Sequence, residues 1–534
     1  VGTHALVSSH KGKRRQGASK RLPRGARKLQ REQRRGWDPH ARRKELLAEE
    51  TGTIVRTAQT SIALCYPNPY HTAMSSLGYQ VIYRMMNERP SIAAERVVLP
   101  DDVDEYRRRR QAPLAIESGR PLSDFDLLAF SVAYDLDIPG FFDLLDLANI
   151  PILRSERQAY HPPVLLGGPL TASNALPFGP FIDLAVIGDG ELAVAALLDA
   201  LEKATSREDF LARADGIPGV WIPELHGDRV PPVQKVTVGA LPAVGQIVTR
   251  HTELSNMFLV EASRGCPRFC KFCLVRNKES PMREPELEAV LRHIPEWAPR
   301  VGFVGAAVSE WSGIREALRR VIAMGKGVGV SSLRADRLDE EFVDLLARGG
   351  YKTMTVASDA PSQRLRNQMA KAIKTRHLLN AARLAKAAGM KKLKLYVIIG
   401  IPGETDDDIS ELIEFTKECS ALMPTALGLS PLVPKLHTPL GDAPFAGVST
   451  VDRTLKRLRK ELGGVAEIRS TSAKWAWVEY RMSQGGQDAG LAALQAWKNG
   501  GGYRAWADAM ASVEERAALE KANQFALWPA AGMR

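Results

Sequence analysis

Cysteine is scarce in this chain, with five in 534 residues. A small, odd number does not make the disulfide framework of a secreted scaffold, so a reducing cytoplasm is the expected setting. Long apolar runs are missing too. No stretch approaches the roughly eighteen uninterrupted apolar residues of a transmembrane helix. The basic N-terminus has no apolar segment behind it of the kind a secretory signal carries. Neither membrane insertion nor secretion is therefore expected. Acidic residues are few at one end only: residues 1–50 hold fifteen Lys/Arg against five Asp/Glu, so most of the net charge of +12 belongs to them. The tail, 1–57, is therefore expected to be solvated, disordered or loosely helical. Its functional alternative is a phosphate-binding arm that docks RNA.

Hydrophobic residues make up 45% of the chain, enough for the cores of two or three domains. From about residue 58, short apolar runs alternate with amphipathic stretches. TSIALCYP (60–67), ERVVLP (95–100), DLLAFSV (126–132), PPVLLGG (162–168) and IDLAVIGDG (182–190) read as strands. Helices are expected between them over SSLGYQVIYRMMNER and IPGFFDLLDLANI, and after them over ELAVAALLDALEKA. This alternation predicts an α/β domain with a doubly wound parallel sheet over 58–245. Ligands of such sheets sit at the carboxyl ends of the strands. Those ends here carry Ser131, Gly167-Gly168 and Gly188-Asp189-Gly190-Glu191.

A second series begins at FLVEASRG (258–265). It continues through VGFVGAAV, GVGVSSLR, KTMTVAS, KLKLYVIIG and TALGLSPLV, with helices such as GIREALRRVIAM between. Six strands over 250–445 predict a partial (β/α)6 barrel with its functional loops at the strands' C-terminal ends. The remainder, 446–534, reads as a small helical domain. Its five tryptophans, Trp475, Trp477, Trp497, Trp506 and Trp528, are expected to pack against the barrel.

Three of the five cysteines, Cys266, Cys270 and Cys273, are crowded into SRGCPRFCKFC (263–273), on a loop that follows a strand directly. Structural zinc calls for a fourth Cys or His nearby. His251 and His293 form no second ligand pair, and Cys65 and Cys419 stand alone. Three thiolates on one short loop suit a 4Fe–4S cluster with one iron free of protein ligands. An electron carrier fills all four positions, so an open iron points to a bound substrate or cofactor. A non-enzymatic iron–sulfur module is the lesser alternative.

SRGCPRFCKFC resembles the signature of the radical S-adenosylmethionine (SAM) superfamily. The resemblance implies that the open iron chelates SAM. It also implies that one electron, from a flavodoxin- or ferredoxin-like reductant, cleaves SAM to methionine and a 5′-deoxyadenosyl radical, which then attacks an unactivated carbon. Phe272 would pack by the cluster and adenine. GIPGE (400–404) resembles the adenine-contacting motif, implicating Gly400, Pro402, Gly403 and Glu404. VASDAPSQRLR resembles a ribose-contacting motif, with Asp359 where relatives commonly have Glu. SSLR places Ser331 and Arg334 by the methionine carboxylate, and Gly305-Ala306-Ala307 would offer backbone carbonyls to its amine.

SIALCYPNPYHTAMSSLGYQVIY, LLGGPLTASNALPF and VIGDGE, together with VPKLHTP, resemble the branch with an N-terminal cobalamin-binding-like domain, which implies methyl transfer. The cobalt-ligating D-x-H-x-x-G motif is absent. His71 has no Asp two residues before it, and the next glycine, Gly78, lies seven residues on. Either cobalamin binds without a histidine ligand, held by the Ser131, Gly167-Gly168 and Gly188–Glu191 loops, or the domain has lost it. Methylthiotransferase chemistry is not expected, because it needs three further cysteines. An unknown organic substrate would sit near Glu310, Trp311, Lys435 and His437.

Overall fold

The computed structural model describes residues 37–275 and 281–513. Most of the basic tail thus lies outside the described residues. Its last part is folded: a helix over Pro39–Ala48 starts at Asp38, whose carboxylate accepts the His40 N–H at 2.8 Å. Leu46 is buried, and Glu50–Thr51 pairs antiparallel with Val248–Thr249.

The first sheet has six strands: β1 (Thr60–Tyr66), β2 (Ile92–Val98), β3 (Leu127–Ser131), β4 (Val164–Gly167), β5 (Leu184–Val186) and β6 (Val220–Trp221). Their order is β2-β1-β3-β4-β5-β6, all parallel except β6. The expected doubly wound sheet is therefore present, and the antiparallel edge strand is an addition to it. Helices cover both faces. On one, Leu77–Asn87 starts at Ser76 and buries Tyr79, Tyr83 and Met86, joined by Glu191–Lys203. On the other, Ile138–Leu147 packs Phe141 and Phe142 against Phe130, Phe178 and Phe181.

That second face corrects an expectation about the C-terminal region. Helix Ala473–Gln484 touches the barrel core through Ala473, but together with Gln487–Lys498 it joins this phenylalanine cluster of the first sheet. Trp475, Trp477, Trp497 and Trp506 all belong to it, and the Trp497 indole N–H donates to Asp143 at 3.0 Å. Trp528 lies outside the described residues. The C-terminal region also contributes a strand where helix alone is expected.

The remaining strands are β7 (Met257–Ser263), β8 (Arg300–Gly305), β9 (Gly327–Val330), β10 (Thr353–Ala357), β11 (Lys392–Ile399), β12 (Thr425–Pro431) and the unforeseen β13 (Glu467–Ser470). All pair in parallel, as β9-β8-β7 and as β10-β11-β12-β13. No ladder joins β9 to β10. Val328 N–H instead donates to Gly349 O at 2.9 Å, and Tyr351 OH donates to Val330 O at 3.0 Å. Nor does any ladder among the described residues join β7 to β13, so the barrel is partial and open. Its core lies outside the strands, between them and helices such as Ile314–Ala323 and Thr375–Ala387.

Candidate active site

The loops at the C-terminal ends of both sets of strands face a single cavity of 2720 Å³. Its walls include Cys266, Cys270, Cys273, Phe272, Gly305, Ser331, Arg334 and Asp359 from the barrel side. From the first sheet come Ser131, Gly167, Gly168, Gly188, Gly190 and Glu191. Gly400, Pro402, Gly403 and Glu404 are not among the wall residues.

The thiol loop leaves β7 at Ser263. Gly265, at φ 84°, makes the turn that brings Cys266 to the cavity. All three cysteines are unbridged. Within the loop, Cys273 N–H donates to Cys270 O at 3.2 Å, while Lys271 N–H donates to Met369 O at 3.0 Å and ties the loop to the segment after β10. Phe272 rests on an apolar cluster of Ala360, Leu365, Met369, Ile401 and Leu432. Through Ile401, the GIPGE segment supports the thiol loop from behind. Within that segment Glu404 accepts the Gly400 N–H at 2.8 Å, and burial pushes its carboxyl up to about 7.

Cys270 is buried, which pushes its thiol up to about 11, with the Lys371 charge pulling the other way. Lys371 is ion-paired with Asp359. Burial opposes its ammonium charge, but Asp359 and Cys270 outweigh burial and hold its pKa above the ordinary lysine value. Asp359, Ala370 and Ala372 all have positive φ (58°, 54° and 57°), so the backbone on both sides of this pair is strained. Asp359, expected at a ribose, is here a partner of Lys371.

Two more expected SAM contacts are engaged within the protein. Ser331 Oγ donates to Gly305 O at 3.0 Å, and Ser332 Oγ donates to the same oxygen at 3.1 Å. Two serine hydroxyls thus converge on the Gly305 carbonyl, one of the three backbone acceptors expected for the amine. Arg334 lies 3.0 Å from both Glu310 and Asp336. Gly305 must be glycine for a local reason, since a Cβ there would lie 2.5 Å from Ser263 O.

The expected substrate residues are mostly elsewhere. Glu310 is buried under Arg268, Arg334 and Arg337, as their counter-ion. Trp311 is 2% exposed and donates its indole N–H to Pro285 O at 3.2 Å. Both border a separate hollow of 240 Å³, and His437 walls neither space. Lys435 does wall the large cavity, held by Asp135 at 2.6 Å and Glu479 at 2.8 Å. His71 also walls it, as an exposed residue of a short helix after β1.

Two residues inside the quoted motif escaped assignment. Arg264 lies 2.7 Å from Glu261, 2.8 Å from Glu191 and 3.2 Å from Asp189, so it bolts the start of the thiol loop to the β5 loop of the first sheet. Glu191 is thereby a partner of Arg264. Ser263 is 1% exposed, yet its Oγ is buried without a hydrogen-bond partner at the cavity wall beside Gly305.

The family named Radical SAM superfamily matches residues 260–416, and the family described as Radical SAM proteins, N-terminal, matches residues 78–223. The chain belongs to the radical SAM superfamily. An uncharacterized protein of Methanocaldococcus jannaschii is 29% identical over 387 residues, 71% of this chain and 78% of that one. A Pyrococcus horikoshii protein named an uncharacterized methyltransferase is 26% identical over 277 residues, 48% of this chain and 58% of that one. Among solved structures, the cobalamin-dependent SAM radical enzyme OxsB with aqua-cobalamin bound has a TM-score of 0.47 at 14% identity. This chain spans 56% of OxsB's length, with 75% of its own residues covered.

The donor chemistry suits the superfamily's cluster. Among the described residues no three His, Cys, Asp or Glu side chains converge as ligands of a single ion. A 4Fe–4S cube does not require that convergence, because each cysteine binds its own iron. Three reduced thiols on one cavity-facing loop, with an unpartnered Ser263 hydroxyl behind them, fit such a group. For cobalamin the signal is thinner. A Cβ at Gly168 would meet Val132 O at 2.5 Å and one at Gly188 would meet Gln234 O at 2.4 Å, so these glycines serve their own turns. Gly167 differs: a Cβ there would find only Phe130 O, at 4.0 Å, and the residue borders the cavity.

Proposed function

We propose that this protein is a radical SAM enzyme that transfers a methyl group to an unactivated carbon, with cobalamin held between its two sets of strands. The observation that supports it most is the C-x3-C-x2-C loop facing a cavity shared with the strand ends of the first sheet. When bound, a 4Fe–4S cluster supplies the electron that splits SAM, and cobalamin supplies the methyl group. Cys266, Cys270 and Cys273 would hold the cluster, and Phe272 would wall the adenine. Ser131, Gly167 and Gly190 would border the cobalamin. The chain's own contribution is to line the lumen below the thiol loop with the apolar Leu259 and Met257 and to fix that loop through Arg264, Met369 and Phe272. A flavodoxin- or ferredoxin-like protein is the proposed electron donor. The RNA-docking alternative rests on a tail that lies almost wholly outside the described residues.

The test is anaerobic reconstitution of the full chain, with iron, sulfide and cobalamin quantified and products separated. The proposal expects about four irons per chain and release of 5′-deoxyadenosine with S-adenosylhomocysteine. The Cys270→Ala variant should lose its cluster absorbance and all SAM cleavage. Protein that carries a cluster but never cleaves SAM would sink the proposal.

A further inference from the structure

A TIM-type barrel fills its interior with layers of bulky branched side chains. This lumen combines Thr353 and Thr355 with Gly302, Gly329 and Gly428, over which Met257, Leu259 and Tyr396 lie, and it opens into the cavity of the thiol loop. The cavity therefore runs the length of the strands. Its upper end holds the cysteines, its middle is bordered by Leu259 and Val304, and Met257 lies lower, level with Arg300.

The far end is cationic. Arg300 opens β8, Lys352 precedes β10, and Lys394 points inward from β11 level with Thr355. Arg459 and Arg469 wall the open side, where Arg469 sits level with Gly428. Negative charge there is limited to Asp452 and the exposed Glu253 on the wall, and to Glu467, which already holds Arg469 at 2.6 Å and Lys392 at 2.8 Å. Lys394 is half-buried and has no carboxylate partner among the described residues; its ammonium stands 4.7 Å from the Tyr396 ring centroid. Among the described residues Arg300 has the Ser255 carbonyl, at 3.4 Å, as its side-chain partner. Lys352, Arg459 and Arg469 are exposed, and Lys394 and Arg300 are half-buried, so a guest that closes this end off from water must bring the opposite charge.

We propose that the far end of the lumen binds a carboxylate or phosphate at the non-reacting end of an elongated substrate. This rests on the reading of the protein as a radical SAM enzyme. Lys394 precedes Gly400, beyond the end of its strand, by six residues, roughly 20 Å at strand rise. The guest would span that length with an apolar middle and an acidic tail.

The experiment is calorimetric titration of the reconstituted full chain, at fixed ionic strength, with inorganic pyrophosphate and separately with suberate. Binding of either is expected, and the tighter one names the group. Lys394→Met should weaken it about tenfold, and Arg469→Gln should weaken it in the same direction. Lys417→Met, on the outer helix Asp406–Leu422, should change nothing. No binding by the wild type, or equal affinity in Lys394→Met, overturns the proposal. So does a Lys394→Met effect confined to reduction by a protein donor and absent with dithionite. Wild-type protein that binds pyrophosphate but never cleaves SAM refutes the reaction and not the anion site. Wild-type protein that cleaves SAM but binds neither anion refutes the site alone.

Discussion

The two sets of strands follow one rule of connectivity and two rules of burial. In β1 every residue from Ser61 to Tyr66 is buried, and β3 is buried through Phe130. In β11 burial alternates: Leu393, Leu395, Val397 and Ile399 are buried, while Lys392, Lys394, Tyr396 and Ile398 are half-exposed. Parallel strands covered on both faces become near-continuous apolar runs. β10 and β11 wrap the hollow with apolar residues on the outer face and leave the inner face half-exposed, whereas β7 and most of β12 in the same barrel are buried throughout. The first sheet is covered on both faces, and β10 and β11 on one.

Four changes sharpen or break that contrast. The largest effect belongs to the doubly covered sheet. Phe141→Ala opens a hole amid Phe130, Phe142 and Phe178 and should cost about 4 kcal/mol in urea unfolding. At the junction, Arg264→Met would strand Glu261, Glu191 and Asp189 near one another, a loss of about 3 kcal/mol by the same measurement.

Glu404 gives a pH signature. Its carboxyl has an ordinary value of 4.5 and is raised to about 7 in the fold. Between those values the folded chain keeps a proton that the unfolded chain has lost. Its contribution to stability therefore falls as pH rises from about 4.5 to 7 and is flat above. Glu404→Gln should remove that contribution, match the wild type at pH 4 and exceed it by about 3 kcal/mol at pH 8. The smallest effect belongs to the hollow side: Thr355→Val should leave stability within about 0.5 kcal/mol. A loss comparable to that of Phe141→Ala would mean the lumen is a packed core after all.

The contrast was partly written in the chain. KLKLYVIIG alternates and SIALCY does not, and each folds as its pattern implies. The thiol loop was legible because its spacing is local. Partners brought together by folding were not. Glu310 follows a strand end and so reads as a cavity residue, yet three arginines, Arg268 from the thiol loop and Arg334 and Arg337 from the loop after β9, bury it. Arg264 and Ser263 stood inside the quoted motif, but their significance lies in Glu191 and Gly305, 73 and 42 positions away. The strand at Glu467–Ser470 was missed because four residues, two of them charged, carry too little pattern to be distinguished from a helix end.

One arrangement bears on how the molecule comes to be made. The phenylalanine face of the first sheet is roofed by Ala473–Gln484 and Gln487–Lys498, which leave the ribosome more than two hundred residues after β6. During synthesis the earliest sheet must wait, with one oily face covered only by Ile138–Leu147, until more than two hundred further residues have emerged. Chaperone demand should peak in that interval, and shortening the C-terminus ought to harm the oldest part of the protein first.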